Sequence, residues 1–302
     1  MLAILCPGQG GQSAAMFDVI AGNSAARRAL EAASAAADFD VVAAARNGTD
    51  IFRNAVAQPL ICAYEIAAWS ALAPQLPAPL LFAGYSVGEL AAYGCAGSLS
   101  AFDTVQLARQ RAACMDAKSE QPAGLTAVRS LTRGKTESLC SAVGIEIAIV
   151  NGEDHFIVGG LAALLDEFDA RATAGGATVQ RLSVSVAAHT SLLAAASGHF
   201  LRILERSALT KPAIPVLAGV SGTLVNDRKA AIATLAQQLS NTVQWSTCLD
   251  TAYERGCRVF LELGPCNALA RMTRERFPDV AARSLTEFRS LEGAADWVDK
   301  NA

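Results

Sequence analysis

The segment Gly84-Tyr85-Ser86-Val87-Gly88 limits what this chain can fold into more than any other stretch of it. It follows the apolar run Leu80-Leu81-Phe82-Ala83 and precedes Glu89-Leu90-Ala91-Ala92-Tyr93. A short apolar run beside turn residues reads as a buried strand, and the alanine-rich stretch as a helix start. A serine between glycines at a strand-to-helix turn is the nucleophile elbow arrangement. Glycine has no Cβ, so the chain can reverse sharply there. The Ser86 hydroxyl then stands proud of a sheet. The next amide, that of Val87, lies at a helix N-terminus, where N–H groups are free to hold an anion.

The pattern around the elbow alternates between strand and helix. Leu2–Cys6 reads as a strand that runs into Pro7-Gly8-Gln9-Gly10-Gly11-Gln12, and Arg27–Ala37 as a helix. Gln58–Ala73 reads as a helix with Leu60, Ala63, Tyr64, Ala67 and Ala71 near one face. Ser100 reads as the N-cap of a helix that continues to Lys118, with Asp103 at N3. The texture then changes. Leu125–Arg129, Ile145–Val150, His155–Val158 and Thr178–Val184 read as strands, and Arg133–Val143 and Leu161–Thr173 as helices. That β-α-β-β-α-β order is ferredoxin-like. Beyond it the pattern returns with helix Ser191–Ser207, strand Ile214–Ala218, helices Lys229–Asn241 and Ser246–Arg255, and strand Val259–Leu263. The expected class is α/β. A parallel-sheet core over 1–122 and 186–302 carries an inserted ferredoxin-like subdomain over 123–185.

Composition removes several function classes. With a formal net charge of -3, the chain lacks the clustered basic excess of a nucleic-acid binder. Arg271, Arg274 and Arg276 read as a solvated helix face. The eight cysteines contain no C-x-x-C pair and no Cys/His ligand spacing, so no metal site is expected. Cys6 reads as a small buried filler. The first strand begins at once, with no basic leader, and no run of 18 uncharged apolar residues suggests a membrane span. The expected location is the cytoplasm, with no membrane partner.

A serine hydroxyl needs a base at neutral pH. Of the three histidines, His155 falls in a hairpin and His199 in a helix. His189 follows a strand read over Leu182–Val186, at the kind of strand end where α/β sites gather, and is the expected base. Gly8-x-Gly10-x-x-Ser13 approaches a dinucleotide fingerprint, but it lacks the third glycine and the acidic residue that should follow. The loop has a better use beside the serine: the Gln9 amide joins that of Val87 as an oxyanion donor. Arg109 and Arg111 lie on the helix after the elbow. On the residues alone, either reads as a surface arginine.

These pieces together resemble the malonyl-CoA:acyl-carrier-protein transacylase family. The matching stretches are Pro7-Gly8-Gln9-Gly10, Gln58-Pro59-Leu60, Gly84–Glu89 and Arg111-x-x-x-Met115, then Asn151-Gly152, Val158-x-Gly160 and Ser185-x-x-x-His189. Asn241-x-Val243-Gln244-Trp245 and Glu262-Leu263-Gly264-Pro265 complete the set. They run in collinear order over nearly the whole chain. The resemblance implies an α/β-hydrolase-like core and an acyltransferase that moves malonyl from malonyl-CoA to a carrier thiol of the phosphopantetheine type, with no bound cofactor. It implies Ser86 as nucleophile, His189 as base, and Gln9 and Val87 as oxyanion hole. It implies Arg111 as the clamp on the malonyl carboxylate, with Arg109 left at the surface. It also implies that a main-chain carbonyl near Gln244 orients the histidine. Tyr85 stands where most members have histidine, and Gly11 where they have serine. This wording is similar to the acyltransferase (epsilon) subunit of malonate decarboxylase, which implies the malonate decarboxylase carrier subunit, bearing a phosphoribosyl-dephospho-CoA group, as partner. The alternatives are a malonyl transacylase of fatty-acid synthesis, whose acceptor is the acyl carrier protein, and a serine esterase.

Overall fold

A computed structural model describes residues 1–48, 50–117 and 121–302. The expected helix end at Lys118 lies outside the described residues. The strands are β1 (Leu2–Cys6), β2 (Leu81–Gly84), β3 (Ala123–Arg129), β4 (Glu146–Val150), β5 (His155–Leu161) and β6 (Thr178–Arg181). They continue with β7 (Val216–Leu217), β8 (Leu224–Val225), β9 (Val259–Glu262) and β10 (Ala281–Ser284).

One sheet is six-stranded, in the order β10-β9-β1-β2-β7-β8. Its pairs are parallel except β7 with β8. Every residue of β1, β2 and β9 is buried. A parallel sheet covered by helices on both faces requires such unbroken apolar strands. The helices Asn54–Leu72, Val87–Cys95 and Ala101–Asp116 pack together beside this sheet. The first of them, with the turn that follows it, is long and apolar enough to cross a membrane by length and composition. It is instead a core helix, 78% buried over its most apolar window.

The second sheet is four-stranded and antiparallel, in the order β4-β5-β3-β6. Its side chains alternate between two cores, as the period of a strand demands. Val128, Phe156 and Val158 pack under the helices Arg133–Val143 and Ala162–Ala174, with Leu165 and Phe168. Leu125, Ile149 and Ile157 face the main core instead. Val243, just before the helix Trp245–Glu254, forms a parallel bridge with Ile149 of β4. Its amide donates to the Ala148 carbonyl, and its carbonyl accepts from the Val150 amide, both at 2.9 Å.

The structure departs from the sequence pattern in a few places. The strand expected to reach Val184 ends at Arg181, and no strand spans 182–186. After one further bond, from the Leu182 amide to the Leu125 carbonyl at 2.9 Å, the chain leaves the sheet edge. The helix expected from Ser191 begins as a tight turn over Ser191–Leu193 and becomes α-helical at Ala194. The short β8, and β10 together with the C-terminal helix Leu291–Asn301, carry no reading in the sequence pattern.

Candidate active site

Two glycines force the geometry of the elbow. A Cβ on Gly84 would lie 2.1 Å from the Glu89 backbone, and one on Gly88 2.1 Å from the Cys6 carbonyl oxygen. The strand and the helix behind it touch through bare backbone. Ser86 between them is left at φ 55°, ψ -121°. A non-glycine residue adopts such a conformation only when its surroundings over-determine it, and strain of this kind clusters at functional sites.

His189 meets the serine from the far side of the chain. Its Nε2 lies 2.8 Å from Ser86 Oγ, and its Nδ1 lies 2.5 Å from the Gln238 carbonyl oxygen. A carbonyl only accepts, so Nδ1 carries the hydrogen and Nε2 presents its lone pair to the hydroxyl. The backbone at His189 is also left-handed, at φ 64°, and its amide donates to the Leu239 carbonyl at 2.9 Å. The ring is buried. Burial, with Arg111 nearby, lowers its pKa from 6.5 to about 3. The imidazole is therefore neutral at physiological pH.

Arg111 is only 2% exposed. Its Nη1 donates to Gln58 Oε1 at 2.8 Å and to Met115 Sδ at 3.3 Å, and its Nη2 donates to Gln238 Oε1 at 3.0 Å. Gln238 Nε2 donates in turn to Glu89 Oε2, which also accepts the Gly219 amide at 3.0 Å. Burial lowers the guanidinium pKa from 12.5 to about 10, so the cation persists at neutral pH. Burial raises the Glu89 carboxyl to about 7. Among the described residues no carboxylate lies within ion-pair distance of Arg111. A buried cation held only by neutral groups, two amides and a thioether, is poised to take an anion.

These groups share one cleft. Gly8, Gln9, Asn54, Gln58, Tyr85, Ser86, Arg111, Met115 and His189 line its polar side. Leu125, Ile149, Ile157, Leu182 and Val184 close the other. The Gln9 side chain donates to Asn54 Oδ1 at 3.1 Å, and Asn54 donates to Asp116 at 2.8 Å. The Tyr85 ring meets Trp245 edge-on, 5.4 Å between centroids. Burial pushes the Tyr85 hydroxyl pKa up.

Of the residues singled out in the sequence, Gln9, Ser86, Arg111 and His189 converge on this cleft, and Val87 opens the elbow helix beside it. Arg109 is exposed and pairs with Asp38 at 3.4 Å. Gln244 does not serve the histidine. Its amide donates to Gly219 and its carbonyl accepts from Cys248, at the start of the helix Trp245–Glu254. The carbonyl at Nδ1 belongs to Gln238, because the backbone bond from His189 to Leu239 docks the ring beside that turn. Gln238 had no signal in the sequence beyond its place at a helix end. For Gln58 and Met115 the signal was the quoted motifs; Met115 stands one turn after Arg111 on the same helix face.

Residues 4–287 match the family model described as the acyl transferase domain. A malonyl CoA-acyl carrier protein transacylase of Mycobacterium tuberculosis H37Rv is 32% identical over 305 residues, covering 98% of this chain and 100% of that protein. The Escherichia coli K12 protein of the same description is 26% identical over 304 residues, covering 97% and 98%. Among solved structures, FabD from Acinetobacter baumannii superposes with a TM-score of 0.94 at 29% identity, covering 100% of this chain and 99% of that one. MCAT from Mycobacterium tuberculosis gives 0.90 at 31% identity, covering 99% of each.

Proposed function

This chain belongs to the acyl transferase domain family, and from that premise we propose that it moves a malonyl group from malonyl-CoA, through an ester on Ser86, to the thiol of an acyl carrier protein. The observation that carries the reading is a neutral His189 2.8 Å from Ser86 Oγ, in one cleft with a buried arginine that has no counter-ion among the described residues. Relatives described as malonyl CoA-acyl carrier protein transacylases support the choice of donor and acceptor.

Two half-reactions share the site. Ser86 Oγ attacks the thioester carbonyl carbon while its proton passes to His189 Nε2. The Gln9 and Val87 amides hold the oxyanion, each donor worth on the order of 3 kcal/mol in the transition state. The C–S bond then breaks, and His189 returns the proton to the departing CoA sulfur. The carrier thiol repeats the sequence in reverse: it gives its proton to His189, attacks the acyl carbon, and Ser86 leaves with the proton. The Gln238 carbonyl keeps the imidazole in the required tautomer throughout. Arg111 takes the free malonyl carboxylate, which acetyl lacks. An acetyl group would leave the guanidinium with no anion, the kind of mismatch that discriminates most strongly.

We read residues 123–185 as a subdomain inserted between 1–122 and 186–302, supplying the apolar wall that keeps water from the acyl-serine. That wall favours a transferase over an esterase. The likeness to the malonate decarboxylase subunit rests on Tyr85 and Gly11. The relatives described above favour instead the acyl carrier protein of fatty-acid synthesis as acceptor. The test is CoA release from malonyl-CoA. It should stall after one equivalent and resume when acyl carrier protein is added. Steady release in water alone would contradict the transferase. Faster transfer to the malonate decarboxylase carrier than to acyl carrier protein would reassign the acceptor.

A further inference from the structure

The loop Pro7-Gly8-Gln9-Gly10-Gly11-Gln12 has no regular secondary structure, yet on the reading above it must place the Gln9 amide accurately beside Ser86. It is held by contacts rather than by a ladder. Pro7 lies against Gly264, where an added Cβ would come 1.9 Å from Pro7 Cγ. Gly8 lies against the elbow, where a Cβ would meet the Tyr85 carbonyl at 2.9 Å. Gln12 Nε2 donates to the Ile51 carbonyl at 2.9 Å, and Gln12 Oε1 accepts from the Gly10 amide.

Gly11 is a different case. Its φ is not in the left-handed region, unlike that of Gly10 at 130°, so its backbone would accept any side chain. What excludes one is Cys266. A Cβ on Gly11 would lie 2.6 Å from Cys266 Cβ and 2.9 Å from its Sγ. Cys266 is not free to turn aside. Its thiol donates to Glu262 Oε1 at 3.7 Å, and its carbonyl accepts Ser284 Oγ at 2.5 Å. Glu262 sits at the end of β9, beside Leu5 of β1, the strand that feeds the loop. Burial and the Glu262 carboxylate push the Cys266 thiol up to about 12. It therefore stays a neutral thiol and acts through its volume.

We propose that Cys266 is a positioning residue for the Gln9 amide: its side chain fills the space left by the missing side chain at position 11 and braces the oxyanion loop against Ser86. Positions 11 and 266 then form a coupled pair in which one side chain, not two, occupies the gap. The proposal rests on the reading of Gln9 as an oxyanion donor. It accounts for glycine at position 11, where the backbone does not require it.

The test is a four-variant cycle with malonyl-CoA and acyl carrier protein. Gly11→Ser forces the loop outward, and kcat should fall on the order of 100-fold with KM for malonyl-CoA within about threefold. Adding Cys266→Gly to Gly11→Ser should bring kcat back to within about fivefold of the unaltered protein, since the gap again holds one side chain. Cys266→Gly alone should lower kcat by roughly tenfold, from a slack loop. Cys266→Ser, of similar volume, should keep kcat within about threefold. The same coupling should appear in melting temperature, which does not depend on catalysis. A fully active Gly11→Ser, or a double variant no better than Gly11→Ser in both kcat and melting temperature, would overturn the pairing. Labelling of Ser86 by malonyl-CoA in the unaltered protein reads the parent proposal separately. Its absence would sink the functional reading, whereas label without rescue would sink this inference alone.

Discussion

The two sheets contribute unlike things to the cleft. The parallel core and its connecting segments bring the polar groups to it: Gln9 after β1, Asn54 and Gln58 from the helix Asn54–Leu72, Tyr85 and Ser86 after β2, Arg111 from a later helix, and His189 from a loop tied to Gln238 and Leu239. The antiparallel sheet brings Leu125, Ile149 and Ile157, and no charge. The core side is locked by backbone contacts that tolerate no extra atom, as at Gly84 and Gly88. The other side is ordinary side-chain packing over a sheet with its own second core. The lesson is a division of labour. On the proposed function, chemistry sits where the backbone is over-determined, and exclusion of water sits where packing can vary.

The comparison predicts large kinetic effects on one side and mainly stability effects on the other. His189→Gln should lower kcat by on the order of 1,000-fold or more while the melting temperature stays close to that of the unaltered protein. A loss of tenfold or less would break the contrast at its strongest point. Arg111→Ala should reduce kcat/KM for malonyl-CoA by roughly 100-fold and leave acetyl-CoA little changed, which competition between the two thioesters would measure. It should also move the histidine. Burial and then Arg111 depress the His189 pKa from 6.5 to about 3, so removing the cation should raise it. The acid limb of kcat/KM should lie well below pH 6.5 in the unaltered protein and shift upward in Arg111→Ala. An unshifted limb would remove the electrostatic link between the two groups.

On the other side, Ile157→Ala should lose about 2–5 kcal/mol of unfolding free energy, read by denaturant titration, with kcat within about tenfold. A kinetic collapse without loss of stability would give the antiparallel sheet a chemical role. The smallest effect concerns pH and stability. Burial raises the Glu262 carboxyl in the folded protein from 4.5 to about 7. The folded state then holds a proton that the unfolded state releases above pH 4.5. Its stabilising share is therefore complete below that pH and is lost as pH rises through 7. Glu262→Gln should flatten the fall in melting temperature between pH 5 and 8. An unchanged slope would place the titrating group elsewhere.

How much of this could be read from the sequence follows the same divide. The elbow is legible because its cause is local: two glycines, one serine, a strand before and a helix after. The antiparallel sheet is legible because β3, β4 and β5 are short, mostly apolar runs, with a turn between β4 and β5 and a helical stretch between β3 and β4. Arg111 is legible only through the Arg111-x-x-x-Met115 match, since a buried guanidinium and a surface one look alike within a helix. Its burial depends on Gln58 and Gln238, 53 and 127 residues away. The expected strand before His189 fails for a related reason. Apolar Leu182 and Val184 suggest a strand, but they line the cleft after the ladder has ended. The carbonyl that orients the imidazole belongs to Gln238 rather than a residue near Gln244 because a tertiary backbone bond selects it.

The covalent intermediate gives the most direct measurement. The purified protein is mixed with radiolabelled malonyl-CoA in the absence of any acceptor, digested, and its labelled peptide identified. One label should lie on the peptide that contains Ser86, persist in water, and leave when acyl carrier protein bearing its thiol is added. Label on another residue, or none on the unaltered protein while CoA is still released, would contradict the account.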